Sequence, residues 1–104
     1  MARAVRYSRG SQSVELPATV GSSDFQVETS VGAIETFESR DYIVRAADLV
    51  LADQLITPQR GDTISETQAG VTYTYEVLAP GAEQCWRWSD PYRVSMRIHT
   101  KQVS

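Results

Sequence analysis

The chain has 104 residues, of which 41% are hydrophobic and 22% charged, and its formal net charge is −3. That balance suits one globular domain with its own core and excludes a disordered chain, while the acidity argues against a general nucleic-acid binder. A single cysteine, Cys85, excludes an intrachain disulfide, and no apolar run approaches the ~18 residues that cross a bilayer. No apolar stretch follows the N-terminal arginines, so no secretory signal is expected, and a cytoplasmic origin is.

Ala4-Val5-Arg6-Tyr7 reads as a short first strand. Residues 8–24 hold five serines, two glycines and a proline, with Val14, Leu16 and Val20 as scattered apolar anchors. This composition predicts a mobile arm or long loop over 1–24, with a strand only near Ser13–Leu16. Phe25-Gln26-Val27-Glu28 alternates as a strand does, and a turn follows at Thr29–Gly32. Two β-like runs, 33–38 and 41–46, are separated by Glu38-Ser39-Arg40. Ala46–Ala52 reads as a strand passing into a short helical turn. Pro58–Asp62 is turn chemistry, since Pro fixes φ and Gly supplies positive φ. Thr63-Ile64-Ser65 opens the next strand and Glu66–Gly70 is the hairpin loop after it. Val71, Tyr73, Tyr75 and Val77 alternate with polar residues, the clearest strand pattern in the chain. Ala79–Ala82 breaks that strand, and 84–88 and 93–100 supply two more. The spacing of these segments predicts an all-β fold, a small antiparallel barrel or sandwich with a core over 25–101, in a single domain over 1–104.

Both tryptophans fall within Trp86-Arg87-Trp88-Ser89-Asp90-Pro91-Tyr92-Arg93. Trp86 and Trp88 share one side of a strand and are candidate core aromatics together with Tyr73 and Tyr75. Arg87, Arg93 and Arg97 are placed on the opposite face, as a partner surface or as a solvated sheet face. Arg3, Arg6 and Arg9 cluster near the N-terminus and complete the candidate interface. Nine of the ten basic residues are arginine, which suits fixed, multidentate contacts.

No catalytic residue, metal site or cofactor is expected. His99, the only histidine, is read as a surface residue on the polar face of its strand. Cys85 is read as a small apolar residue, with a reactive thiol as the alternative. Arg60-Gly61-Asp62 matches the cell-adhesion tripeptide, but a Gly-Asp pair after a proline is ordinary turn punctuation. Asp41, Asp48, Asp53 and Asp62 are read as surface and turn residues without calcium-loop spacing.

The order of segments carries a resemblance. Arg40-Asp41-Tyr42-Ile43-Val44-Arg45-Ala46-Ala47-Asp48-Leu49 is followed by Pro58-x-Arg60-Gly61-Asp62-x-Ile64, then Tyr75-Glu76-Val77-Leu78. The series closes on Trp86–Arg93 and Arg97-Ile98-His99-Thr100-Lys101. Over residues 25–101 this is similar to the head-completion proteins of tailed phages, also called head-tail joining or stopper proteins. The resemblance implies a non-enzymatic virion protein of the neck, assembled in the host cytoplasm. It implies a homo-oligomeric ring, commonly sixfold, that closes the DNA-filled head and docks the tail. Implied partners are a portal or adaptor protein and tail-tube or tail-terminator proteins, with passing contact to packaged DNA and no membrane. A tail-completion or tail-terminator protein is the nearest alternative. A ligand-binding β-domain using Trp86, Trp88 and Tyr92 as a stacking platform is the alternative from another class. With 1–24 as an arm, removing residues 1–23 is expected to leave the domain folded and to block assembly.

Overall fold

The structure is a computed structural model and describes residues 2–28, 30–79 and 84–103. Strands β1 (Arg3–Arg9), β2 (Gln12–Glu28) and β3 (Ile34–Arg45) are followed by a 3-10 turn at Ala46–Asp48. Then come β4 (Val50–Leu51), β5 (Gln54–Leu55), β6 (Thr63–Gln68), β7 (Val71–Val77), β8 (Trp86–Trp88) and β9 (Ser95–Gln102). The sheet runs β3-β2-β1-β6-β7-β9, and β9 pairs back onto β3. Six antiparallel strands thus close into a barrel, and closure removes the open edges that an exposed sheet would carry.

Alternation along each strand fills the interior. Val5 and Tyr7 of β1, Leu16 and Ala18 of β2, Tyr42 and Val44 of β3, and Ile64 of β6 point inward. Tyr75 and Val77 of β7 and Met96 and Ile98 of β9 complete the wall. The segment from Ala46 to Asp62 crosses one end of the barrel, from the end of β3 to the start of β6, and buries Leu49 and Leu51 there. Its small β4–β5 hairpin turns at Ala52 and Asp53, with φ of 52° and 63°. Positive φ at both positions is what a two-residue type I′ loop requires.

β7 and β8 occupy successive stretches of the same edge of β9. Val77 pairs with Thr100, and Trp86 pairs with Ile98. The Leu78 amide donates to the His99 carbonyl at 3.1 Å, and the His99 amide donates to the Cys85 carbonyl at 2.9 Å. The chain therefore leaves the sheet after Leu78 and rejoins the same line at Cys85. The predicted break at Ala79–Ala82 lies, from residue 80 onward, outside the described residues.

Several expectations need correction. Residues 8–24, expected as an arm or loop, are the end of β1, a tight turn and most of β2, which at 17 residues is the longest strand. Val14, Leu16, Ala18 and Val20 face inward and Ser13, Glu15, Pro17 and Thr19 outward, a regular alternation that the serine-rich composition hides. Pro17 is tolerated because β2 pairs there with β1 alone, leaving one side where a missing N–H matters little. The two runs 33–38 and 41–46 are one continuous strand, and the loop predicted at Glu66–Gly70 shrinks to Ala69-Gly70.

β2 and β3 outrun the barrel. β1 covers β2 only as far as Ala18, and β9 covers β3 only from Arg40 onward. Beyond these points Ser23–Glu28 and Ile34–Ser39 pair only with each other, forming a two-stranded arm. With it the molecule measures 45 × 36 × 28 Å.

Candidate functional site

Three carboxylates are buried in the barrel wall, and each is saturated by donors. Glu66 of β6 points inward near the start of β1. It accepts from the Tyr42 hydroxyl at 2.8 Å, Arg3 Nη1 at 3.0 Å and Gln68 Nε2 at 3.2 Å, and also pairs with Arg40. The Arg40 guanidinium lies 4.8 Å from the Tyr75 ring centroid, a cation–π contact that holds it in place. Burial alone would raise the Glu66 carboxyl, but the hydrogen bonds from Tyr42, Arg3 and Arg40 outweigh it and bring it down to about 2.

Asp62 closes the other end. Arg9 Nη2 reaches it at 2.8 Å and the Gln59 amide at 3.0 Å, and the Tyr7 hydroxyl also donates to it. Burial opposes ionisation of Asp62, yet the bonds from Arg9 and Tyr7 hold it below the ordinary carboxylate range. The Arg60-Gly61-Asp62 tripeptide thus has its carboxylate buried and engaged, so it is not displayed for a receptor.

The third carboxylate overturns two sequence expectations. Asp41 and His99 are only 0% and 2% exposed. They stand opposite each other on β3 and β9, on the face away from the barrel core. His99 Nδ1 lies 2.9 Å from Asp41 Oδ1, and Arg97 Nη1 lies 2.6 Å from Oδ2. Ser39 donates at 2.6 Å, and Ser23 donates to Oδ2. The ionised carboxylate only accepts, so Nδ1 carries the proton. Burial would push Asp41 up, but bonds from His99, Ser23, Ser39 and Arg97 hold it well below the usual range. This face is buried because the arm covers it: Phe25 of β2 meets the His99 ring edge-on at 5.0 Å. Gly21 lets Arg97 lie across β2, since a Cβ there would come 3.3 Å from Nη1. Both serine hydroxyls bond the carboxylate rather than the imidazole, so the cluster lacks the serine–histidine contact of a nucleophile–base pair. It ties the base of the arm to β9.

Cys85 is half-buried and its thiol donates to the Pro58 carbonyl at 3.5 Å; burial pushes the thiol up, away from a reactive thiolate. Among the described residues no cluster of three or more metal-ligating side chains occurs, and no helix is long and apolar enough to cross a membrane.

The features left unsaturated lie at the two ends of the molecule. At the Arg9 end, a groove of about 730 Å³ runs between the crossing segment and the start of β9. Leu55, Ile56, Trp88 and Val94 line it together with Arg45 and Arg93. Leu55 is 70% exposed and Trp88 37%. At the opposite end the arm carries Val31, 87% exposed, and Ile34, 69% exposed.

The candidate residues are dispersed by the fold. Arg3 and Arg9 face inward at opposite ends of β1 in the clusters just described, while Arg6 faces outward and meets Glu15 at 3.6 Å on the surface. Arg97 is committed to Asp41, and Arg87 stands opposite it on exposed β8. Arg93 sits in a turn at φ 58° and joins the groove, so the three do not form one outward row. Of the candidate core aromatics, Tyr75 is buried, and Tyr73 and Trp86 pack half-buried against the core. Trp88 instead faces the groove, because β8 is three residues long and carries no strand on its outer side. Tyr92 stands exposed on the turn, whose amides at Tyr92, Val94 and Ser95 are held by Asp90. The buried Asp41 cluster was missed because period-two reading assumes one covered face, and the covering Phe25 comes from a segment read as a separate strand.

The family model described as phage head-tail joining protein matches residues 1–104. No curated protein and no solved structure matches the chain.

Proposed function

Because the chain belongs to the phage head-tail joining protein family, we propose that it acts as a structural ring component of the virion neck. In this reading, copies assemble between portal and tail, close the filled head and offer the surface on which the tail docks. The observation that carries the reading is the β2–β3 arm. A two-stranded ribbon is marginal in water by itself. This one extends past the barrel with open backbone edges and exposed Val31 and Ile34. Beyond the Phe25 contact that covers His99, such an element contributes little to its own domain and is suited to docking on another molecule, by its edges or its apolar tip. The barrel, whose buried side-chain polar atoms all have partners among the described residues, supplies the rigid body that such a joint needs.

The test is electron microscopy of the purified protein, alone and mixed with portal protein. Rings, or caps on the portal, are expected. A chain that stays monomeric and leaves the portal bare would sink the reading. Placing the chain in a particle map separates the neck from a tail-terminator position. One observation favours a second reading: the groove volume falls in the ~300–1,000 Å³ range of small-molecule sites, and Trp88 lines it. Of the expected stacking platform, however, only Trp88 does. Sugar titration followed by tryptophan fluorescence tests this reading, and an unchanged spectrum removes it.

A further inference from the structure

The arm and the groove are complementary in charge and in polarity. Residues 21–39 hold Asp24, Glu28, Glu35 and Glu38, four of the chain's thirteen acids, and none of its ten bases. The remainder of the chain therefore carries ten bases against nine acids. None of these four acids has an ion-pair partner among the described residues. Arg45 and Arg93, beside the groove, likewise hold no carboxylate among the described residues. Each feature also presents apolar surface: Val31 and Ile34 on the arm, and Leu55, Trp88 and Val94 in the groove.

One chain cannot satisfy both features by itself. β3 begins in the arm at Ile34 and ends beside the groove at Arg45. Its 12 residues are extended, which holds the two features about 36 Å apart at ~3.3 Å per residue. We infer that the acidic arm of one copy seats in the arginine-flanked apolar groove of a second copy of this chain. The two surfaces differ, so the contact is heterologous: each copy gives an arm and receives one. Such contacts close into a ring when the rotation between neighbours permits and otherwise run on as a filament. This inference rests on the neck-ring reading and names the contact that would build the ring.

The test uses the full-length chain in three forms: wild type, a groove reversal Arg45→Glu/Arg93→Glu, and an arm reversal Glu28→Arg/Glu35→Arg. Sedimentation velocity and electron microscopy read assembly, and thermal melting confirms that each variant folds. Wild type is expected to assemble, and to do so less at high salt because exposed charges are screened. Each reversal alone is expected to weaken self-association at least tenfold, and an equal mixture of the two reversals to restore it through the swapped pairs. If wild type and both folded reversals assemble alike, the arm–groove contact is overturned while the neck reading stands. The contact is equally overturned if the mixture of folded reversals stays dissociated. Absence of assembly by every form, with and without portal protein, overturns both.

Discussion

The barrel and the arm are built from the same two strands, yet they solve opposite problems. In the barrel wall β2 pairs first with β1 and then with β3, β3 is flanked by β2 and β9, and Leu16, Ala18, Tyr42 and Val44 are buried against the core. Every buried carboxylate there, Asp41, Asp62 and Glu66, holds a guanidinium. A few residues further on, the arm's acids hold no such partner among the described residues, and Val31 and Ile34 stand in solvent. Alternation along the strand is the same in both regions. What differs is whether a second strand or a side chain covers each face. Stability is therefore concentrated in the barrel, and the arm is left free for a partner.

The largest expected effect tests the barrel side. Removing residues 1–23 takes away β1 and more than half of β2, together with Val5, Tyr7, Leu16 and Ala18 of the core. The structure reverses the sequence expectation here: the truncated chain should fail to fold. A truncated protein with wild-type circular dichroism and a cooperative melt would place β1 and β2 outside the stabilising unit.

Next in size is Glu66→Ala. It leaves Arg40 and the Tyr42 hydroxyl without their buried acceptor, and breaking a buried pair in this way costs about 3–5 kcal/mol. Urea denaturation measures it. The same group sets a pH dependence. Its folded pKa, about 2, lies below the ordinary 4.5, so the unfolded chain takes up the proton first. The stabilisation is complete above the ordinary value and is lost as pH falls toward about 2. Asp41 and Asp62 are displaced in the same direction and add to the acid loss. Glu66→Ala should flatten part of that acid limb; an unchanged limb would show that Glu66 is not ionised in the folded protein.

The same contrast explains what was legible in the sequence. β7 was plain because Val71, Tyr73, Tyr75 and Val77 are large and alternate with polar residues. β6 and its turn followed from Pro58 and Gly61, the latter at φ 93°. β2 was hidden because Ala18 and Val14 are weak markers among serines, and only pairing with β1 and β3 makes them a wall. His99 and Asp41 read as surface residues because their face becomes interior only when the arm lays Phe25 against it. The groove was half legible, since Trp88, Arg93 and Val94 are contiguous in the sequence. Leu55 and Arg45 reach it only through the crossing of the barrel end.

The two tryptophans divide along the same line. They meet edge-on at 5.1 Å, but Trp86 packs against the core while Trp88 faces the groove. Trp86→Ala should cost about 2–3 kcal/mol, somewhat below the ~3–5 kcal/mol of a fully buried ring. Trp88→Ala should cost about 1 kcal/mol by loss of the edge-to-face pair, yet weaken assembly more than Trp86→Ala does. Melting temperatures and sedimentation profiles for the two variants give both orders. Equal melting temperatures would break the distinction between core and groove.

The smallest effect on stability is expected at the arm's exposed residue, and there the contrast is sharpest. Ile34→Ser removes a side chain that makes no contribution to the barrel core, so stability should change by no more than about 0.5 kcal/mol, as for other surface substitutions. Self-association should nevertheless fall, because the apolar surface that a partner would cover is reduced. A folded variant that melts as wild type does but no longer assembles separates the two roles within one strand, since β3 runs unbroken from Ile34 to Arg45. A drop in melting temperature comparable to that of Trp86→Ala would instead make the arm part of the stabilising core, and the division between a self-sufficient barrel and a partner-seeking arm would fail.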